Sequence, residues 1–232
     1  MNTVESVPTV DHRSDHGVAG RWEHLMGLGN WFFAANYDRL MKGTERAGLS
    51  DHRARLLADA SGDVLEVGAG TGLNLTHYPT ISSLTLTEPM PGMVRRLNGH
   101  IEESARSATV LRAPAEDLPF DDDSFDTVVS TLVLCSVDDQ PRALREARRV
   151  LRPGGQLLFL EHVRSDDPGL ARKQDRMNWL NRLVVHCDCN RPTVSGVADA
   201  GFSVEQLQRS ILPKAPVFAS PLVLGRAVAP AA

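Results

Sequence analysis

The amino-acid sequence predicts an α/β fold: a doubly wound, mainly parallel sheet with a C-terminal antiparallel hairpin and an N-terminal helical lid. Three observations carry that expectation. Short apolar strand signals alternate with amphipathic helix signals between residues 63 and 161, which implies right-handed crossovers and parallel strands. The glycine-rich turn Gly68-Ala69-Gly70-Thr71-Gly72 follows the first strand directly. The run from Phe125 to Leu134 is continuously apolar and β-branched, as expected of a central strand covered on both faces.

The elements follow in order. Residues 1–20, MNTVESVPTVDHRSDHGVAG, are polar and mixed in charge, and are expected to be a flexible N-terminus. They lack the basic start and apolar core of a secretion signal. Residues 21–60 read as the helical lid, with Trp22, Leu25, Trp31, Phe32, Leu40 and Met41 giving an irregular apolar face. The remaining residues, 61–232, form the main domain. Asp63 to Val67 is its first strand, Leu84 to Thr87 its second, and Met93 to Ser104 the helix after it. Ala108 to Leu111 is the third strand and Phe125 to Leu134 the fourth. Gln140 to Leu151 is an amphipathic helix, which Arg152-Pro153-Gly154-Gly155 stops before the strand Gln156 to Glu161. A helical insertion occupies about 166–193, and Val194 to Phe202 is a further helix. Ser203 to Ser210 and Pro221 to Val228 form the closing hairpin. Pro213, Pro216 and Pro221 sit in its connection, where no ladder hydrogen bond is lost.

Composition narrows the function classes. At 232 residues, 42% hydrophobic and 23% charged, the chain is an ordinary globular domain with a small cap. A net charge of -4 gives no electrostatic footprint for nucleic acid. Three cysteines make no paired framework, which predicts a reducing, cytoplasmic setting. The apolar stretch from Leu28 to Ala35 falls well short of the roughly 20 residues that span a bilayer. No stable membrane anchor is expected.

The motif Val64-Leu65-Glu66-Val67-Gly68-Ala69-Gly70-Thr71-Gly72 lets the chain turn tightly and brings backbone close to a ligand at the start of the next helix. Glu88 lies twenty positions after Gly68, where a carboxylate can accept hydrogen bonds from both ribose hydroxyls of an adenosine. A dinucleotide fingerprint would need glycine at position 73, where this chain has Leu73. NAD binding and a purely structural turn are the alternatives on this motif alone. The G-x-G-x-G form preceded by Glu66 resembles the first motif of the class I S-adenosylmethionine (SAM) methyltransferases. The segment Ala113 to Phe120 with Ser124-Phe125-Asp126 resembles that family's loop beside the adenine, and Arg152-Pro153-Gly154-Gly155 the turn before its fifth strand. The family's usual acidic contact to the adenine amine would fall at Pro114, so Glu116 and backbone near Ala115 are expected instead. The resemblance implies a Rossmann-like sheet, SAM as cofactor, and a cofactor site made of Glu66, Gly68, Ala69, Gly70, Gly72, Glu88, Pro89, Ala115, Glu116, Thr131 and Leu132.

Within that superfamily, Ser130-Thr131-Leu132-Val133-Leu134-Cys135-Ser136-Val137 resembles the alkyl thiol methyltransferases of the methyltransferase-like seven group. The likeness continues at Leu160-Glu161-His162-Val163, at Cys187, Asn190-Arg191 and Thr193, and through Ala200-Gly201-Phe202. It implies a small thiol as acceptor. The loop Ala113 to Phe120 is equally typical of quinone-biosynthesis methyltransferases. Oxygen, nitrogen or carbon of a quinone, phenol, lipid head group or natural product is therefore the alternative acceptor. A catalytically silent SAM-binding module is a third reading.

His162 ends the fifth strand, on the edge where open α/β sheets place ligands. It is a candidate proton acceptor, or else a histidine that fixes its loop, and Glu161 is expected to hold architecture. Asp188 is a candidate base or orienter, with surface solvation the alternative. His186 and Arg191 are candidates to bind the acceptor; Arg191 and Asn190 also read as a clamp. His186, Cys187 and Cys189 offer zinc-type donors without a clear fourth ligand, so no metal is expected. Cys135 reads as a small buried residue. Trp31 and Tyr37 on the lid are candidates to wall the acceptor pocket, or simply core.

Overall fold

The structure is a computed structural model and describes residues 37–104 and 106–231. The expected flexible N-terminus and the lid residues Trp22, Leu25, Trp31 and Phe32 lie outside the described residues. Residues 37–44 are helical and lead through a π-helical turn, Glu45–Leu49, into α1 (Ser50–Leu57).

Seven strands form one sheet: β1 (Asp63–Val67), β2 (Ser83–Thr87), β3 (Thr109–Leu111), β4 (Phe125–Thr131), β5 (Leu151–His162), β6 (Ser203–Ile211) and β7 (Pro221–Val228). Their order is β3-β2-β1-β4-β5-β7-β6. The first five run parallel, with Leu65 opposite both Thr85 and Val128. β7 pairs antiparallel with β5 and with β6, which is the expected C-terminal hairpin. Strand order reverses between β1 and β4, so a crevice opens at their carboxyl ends, the place where such sheets take ligands.

Side chains alternate across the sheet with the two-residue period of a strand. Leu65, Val128, Leu157, Phe159 and Val223 face one side, where Leu144 of α3 (Gln140–Val150) and Val197 of α5 (Thr193–Asp199) cover them. Val64, Val129, Leu158, Leu160 and Leu222 face the other, under Leu57 of α1 and Leu97 of α2 (Pro91–Ser104). Covering both faces removes the polar alternation and explains the continuous apolar runs in β1, β4 and β5. Phe159 lies flat against Gly225, where an added Cβ would meet the ring at 2.2 Å. Gly225→Ala is expected to lose about 1–3 kcal/mol by overpacking, readable as a lowered urea midpoint with an unchanged m-value.

Three expectations need correction. No helix follows the glycine turn: residues 70–77 form successive turns, with N–H bonds from Gly72 to Ala69 O, Leu75 to Gly72 O and His77 to Asn74 O. Gly68, Gly70 and Gly72 have φ of 60°, 59° and 89°, and positive φ at every second residue cannot propagate a right-handed helix. β4 stops at Thr131, because Leu132 turns to φ 60°. β5 begins at Leu151 rather than Gln156; Leu151 already pairs with Phe125, and Arg152 to Gly155 form an irregularity within the strand.

The insertion is α4 (Pro168–Val185), capped by Asp167 accepting from the Leu170 N–H at 2.7 Å, with Pro168 at its first position. Buried Gln174 fastens α4 to the sheet edge by donating to Val163 O at 3.0 Å and Cys189 O at 2.8 Å.

Candidate active site

The glycine turn is pinned from both sides. Ala69 N–H donates to Thr87 O at 2.9 Å, and a Cβ at Gly68 would meet Val133 at 2.6 Å. The carboxylate of Glu88, buried at the end of β2, accepts from Gly70 N–H and from Met90 N–H, each at 2.9 Å. Burial raises the Glu88 pKa, opposed by those two donors. Each oxygen keeps a lone pair for a ribose hydroxyl. Glu88→Ala is expected to weaken SAM binding by roughly 1–3 kcal/mol, about 5- to 150-fold. Unchanged calorimetric affinity would remove Glu88 from the cofactor site. Pro89 follows, exposed.

Beneath the turn lies a buried polar network that sequence reading missed. Asn74 Nδ2 and the Tyr78 hydroxyl donate to the two oxygens of Glu66, at 2.9 and 2.6 Å. Arg53 of α1 reaches into the same place, donating to Asn74 Oδ1 at 2.9 Å, Thr131 Oγ1 at 3.1 Å and Glu45 Oε1 at 3.1 Å. Burial pushes the Glu66 carboxyl up to about 7, although Tyr78, Asn74 and Arg53 all pull it down. A carboxyl whose folded pKa is raised contributes stability that is fully present below its unfolded pKa and lost as pH rises through the folded one. For Glu66 that window runs from 4.5 to about 7 and is worth up to about 3 kcal/mol. Glu66→Gln is therefore expected to flatten the fall in melting temperature between pH 5 and pH 8. A slope equal to that of the parent protein would contradict the assignment.

Helix residues 37–44 dock on this floor. The Thr71 hydroxyl donates to Asp38 at 2.6 Å and Arg96 reaches the same carboxylate at 3.2 Å. Burial pushes the Tyr37 hydroxyl upward, opposed by the charge of Arg53. Ala115 is buried in the core. Glu116 accepts from Asp138 N–H at 2.8 Å and Asp139 N–H at 3.3 Å, closing its loop against the turn before α3. Thr131 is spent on the Arg53 network, while Leu132, at positive φ, donates its N–H to Leu160 O at 2.8 Å.

On the acceptor side, Glu161 is fully buried and gathers the chain after β4. It accepts from the Ser130 hydroxyl at 2.7 Å and from the N–H groups of Val133, Leu134 and Cys135 at 3.0, 3.1 and 3.3 Å. His162 is buried beside it; Nδ1 lies 3.5 Å from Cys135 Sγ and 3.4 Å from Cys187 Sγ, and Nε2 has no hydrogen-bond partner among the described residues. Asp188 is held by Asn178 at 2.7 Å, Arg191 at 2.7 Å and Arg182 at 3.2 Å. Burial works to raise its pKa, but Arg191 and Asn178 prevail and the net direction is down. Arg191 also donates to Leu134 O at 2.9 Å, tying the insertion to the β4 loop. His186 is exposed in the left-handed conformation that ends α4, apart from this group. Sequence reading weighed His186, Cys187 and Cys189 as donors; the structure gathers Cys135, His162 and Cys187 instead.

Comparison with known proteins places this geometry. Residues 65–159, which run from β1 to β5, match the methyltransferase domain family Methyltransf_11. The human thiol S-methyltransferase TMT1B is 36% identical over 180 residues, covering 74% of this chain and 73% of that protein. Human thiol S-methyltransferase TMT1A is 30% identical over 228 residues, covering 88% and 91%. A phosphatidylethanolamine N-methyltransferase of Cereibacter sphaeroides is 32% identical over 133 residues. Among solved structures, the YcgJ protein of Bacillus subtilis superposes with a TM-score of 0.65 at 20% identity, covering 78% of this chain and 100% of that one. No helix among the described residues is long and apolar enough to cross a membrane. A doubly wound sheet with a G-x-G-x-G turn over Glu88 and relatives of this extent lead to one conclusion: the chain belongs to the class I SAM-dependent methyltransferases, with S-adenosylmethionine as its cofactor.

Proposed function

We propose that this methyltransferase transfers the methyl group of SAM to the sulfur of a small thiol. The observation that carries the reading is how far each resemblance extends. The cofactor half is common to methyltransferases of many acceptors, so acceptor choice resides largely in the rest of the chain. The match to the thiol S-methyltransferase TMT1A covers 88% of this chain. Matches to the N-methyltransferase of Cereibacter sphaeroides and to the quinone C-methyltransferase UbiE of Hahella chejuensis cover 53% and 61% at similar identity.

The chemistry of the acceptor side agrees. The sulfonium already activates the methyl group, so the protein mainly aligns nucleophile and methyl. Asp188 is engaged by two arginines and an asparagine, which makes it a weak base, and His162 turns Nδ1 to two sulfurs. A thiol with a pKa near 8.5 is a few per cent thiolate at neutral pH and needs little further help. A phenol with a pKa near 10 needs a firmer base. Tyr37, next to the Asp38 that bonds the glycine turn, forms part of the acceptor wall, and Arg191 orients Asp188 and the β4 loop.

The test is S-adenosylhomocysteine release across small thiols, phenols, amines and quinols, with each product identified by mass and fragmentation. Turnover on thiols with the new methyl on sulfur is expected. Turnover only at oxygen, nitrogen or carbon would replace the thiol with one of those acceptors.

A further inference from the structure

The group Cys135, His162 and Cys187 is not absorbed by the cofactor site. Its three donor atoms lie within 4.8 Å of one another, and all three residues are buried. They come from three separate places: the loop after β4, the end of β5 and the segment after α4. The cysteines are free thiols. Without a ligand the trio is poorly satisfied. Nδ1 of His162 faces two sulfurs, which are weak hydrogen-bond partners, and its other nitrogen has no partner among the described residues.

The sulfur-to-nitrogen spacing fits a coordination polyhedron. Zinc binds thiolate sulfur at about 2.3 Å and imidazole nitrogen at about 2.0–2.1 Å, which sets the S···N edge of a tetrahedron near 3.5 Å. The two S···N separations here are 3.5 and 3.4 Å. The donor set, two sulfurs and one imidazole, is soft and selects a thiophilic d10 ion. Two thiolates balance a divalent charge, so the ion-loaded site would be neutral before an acceptor binds, as burial requires; an acceptor thiolate would add one negative charge, facing the cationic sulfonium. Among the described residues no fourth Cys, His or carboxylate joins the group. Three protein ligands with one position open is the pattern of zinc sites that act on a bound ligand, whereas closed structural sites use four.

We propose that Cys135, Cys187 and Nδ1 of His162 hold one Zn2+ ion and that its fourth position takes the sulfur of the acceptor, the second part resting on the thiol reading above. Both cysteine protons leave to solvent as the ion binds, and the acceptor thiol loses its proton likewise on coordination. The acceptor's sulfur lone pair then forms the new S–CH3 bond as the methyl–sulfonium bond breaks. That electron pair returns to the cofactor sulfur, giving neutral S-adenosylhomocysteine. The product thioether carries no charge, binds zinc weakly and leaves.

The experiment uses the full chain, reduced, stripped with a chelator and titrated with Zn2+ alone, with Co2+ as a spectroscopic stand-in. One ion per chain and a sulfur-to-cobalt charge-transfer band are expected. Cys135→Ser and Cys187→Ser should each weaken Zn2+ binding by more than the roughly 10–100-fold that losing a ligand's supporting partner costs. Cys189→Ser should retain it, since that sulfur is turned toward Asn178. The cobalt spectrum of the unmutated protein reports the ligands even if a variant fails to fold. No stoichiometric ion, or a Cys135–Cys187 disulfide found by mass under reducing conditions, would overturn the site. Bound zinc whose removal leaves thiol turnover unchanged would overturn the open position. Zinc-loaded protein that binds SAM yet methylates no thiol would sink the thiol reading while the ion count still stands.

Discussion

Glu161→Ala is expected to remove about 4 kcal/mol or more of folding stability, far beyond an ordinary substitution. Among the described residues the carboxylate is the sole acceptor for three consecutive N–H groups, those of Val133, Leu134 and Cys135, and for the Ser130 hydroxyl. Alanine fills none of those roles, and each buried donor left without a partner costs about 1–3 kcal/mol. Glu161→Gln offers a graded control. Its amide oxygen can serve Ser130, Val133 and Leu134, but its NH2 meets the Cys135 N–H as a second donor, so a loss of about 1–3 kcal/mol is expected. Urea unfolding of both variants checks the ranking. An alanine variant within about 1 kcal/mol of the parent would mean that the loop after β4 finds other acceptors.

Arg53→Ala is expected to cost about 3–5 kcal/mol, the range for removing one partner of a buried charged network. Arg53 is 3% exposed and is the cation in contact with Glu45, with Asn74, which itself supports Glu66, and with Thr131. Its loss should also show a pH signature. The Arg53 charge lowers the Glu66 pKa, so without it Glu66 titrates still higher. Protonated Glu66 needs no cation, and ionised Glu66 does. The deficit of the variant should therefore grow as pH rises from 6 to 8. Melting curves at both ends decide it, and a pH-independent deficit would mean that Arg53 acts by packing alone.

What the sequence disclosed follows the range of the physics involved. β1 and β7 were legible to the residue, because period and turn signals are local. Gly68, Gly70 and Gly72 announced a tight turn, and Glu88 its acidic partner. Arg53 was not legible: in Ser50-Asp51-His52-Arg53-Ala54-Arg55 an arginine reads as solvent-facing, and nothing nearby reports that Asn74 and Thr131 wait 21 and 78 positions on. The run His186-Cys187-Asp188-Cys189 misled for the opposite reason. Its donors are adjacent in sequence, yet the chain leaves α4 through the left-handed His186, which exposes that imidazole and buries Cys187 against His162 instead. The helix expected after the glycine turn failed because three glycines at positive φ were read for closeness to ligand and not for what they forbid.

The position of β7 has a consequence for synthesis. Of the seven described strands it comes latest in the sequence, yet it lies between β5 and β6, so β5 has no neighbour on that side until the hairpin arrives. From His162 to Val228 is 66 residues, which at about 5–20 residues per second takes roughly 3–13 s. Throughout that interval a long strand with buried Leu157, Leu158, Phe159 and Leu160 presents an open edge, the kind that pairs with other chains. During synthesis that edge thus stays open until both β6 and β7 have followed β5.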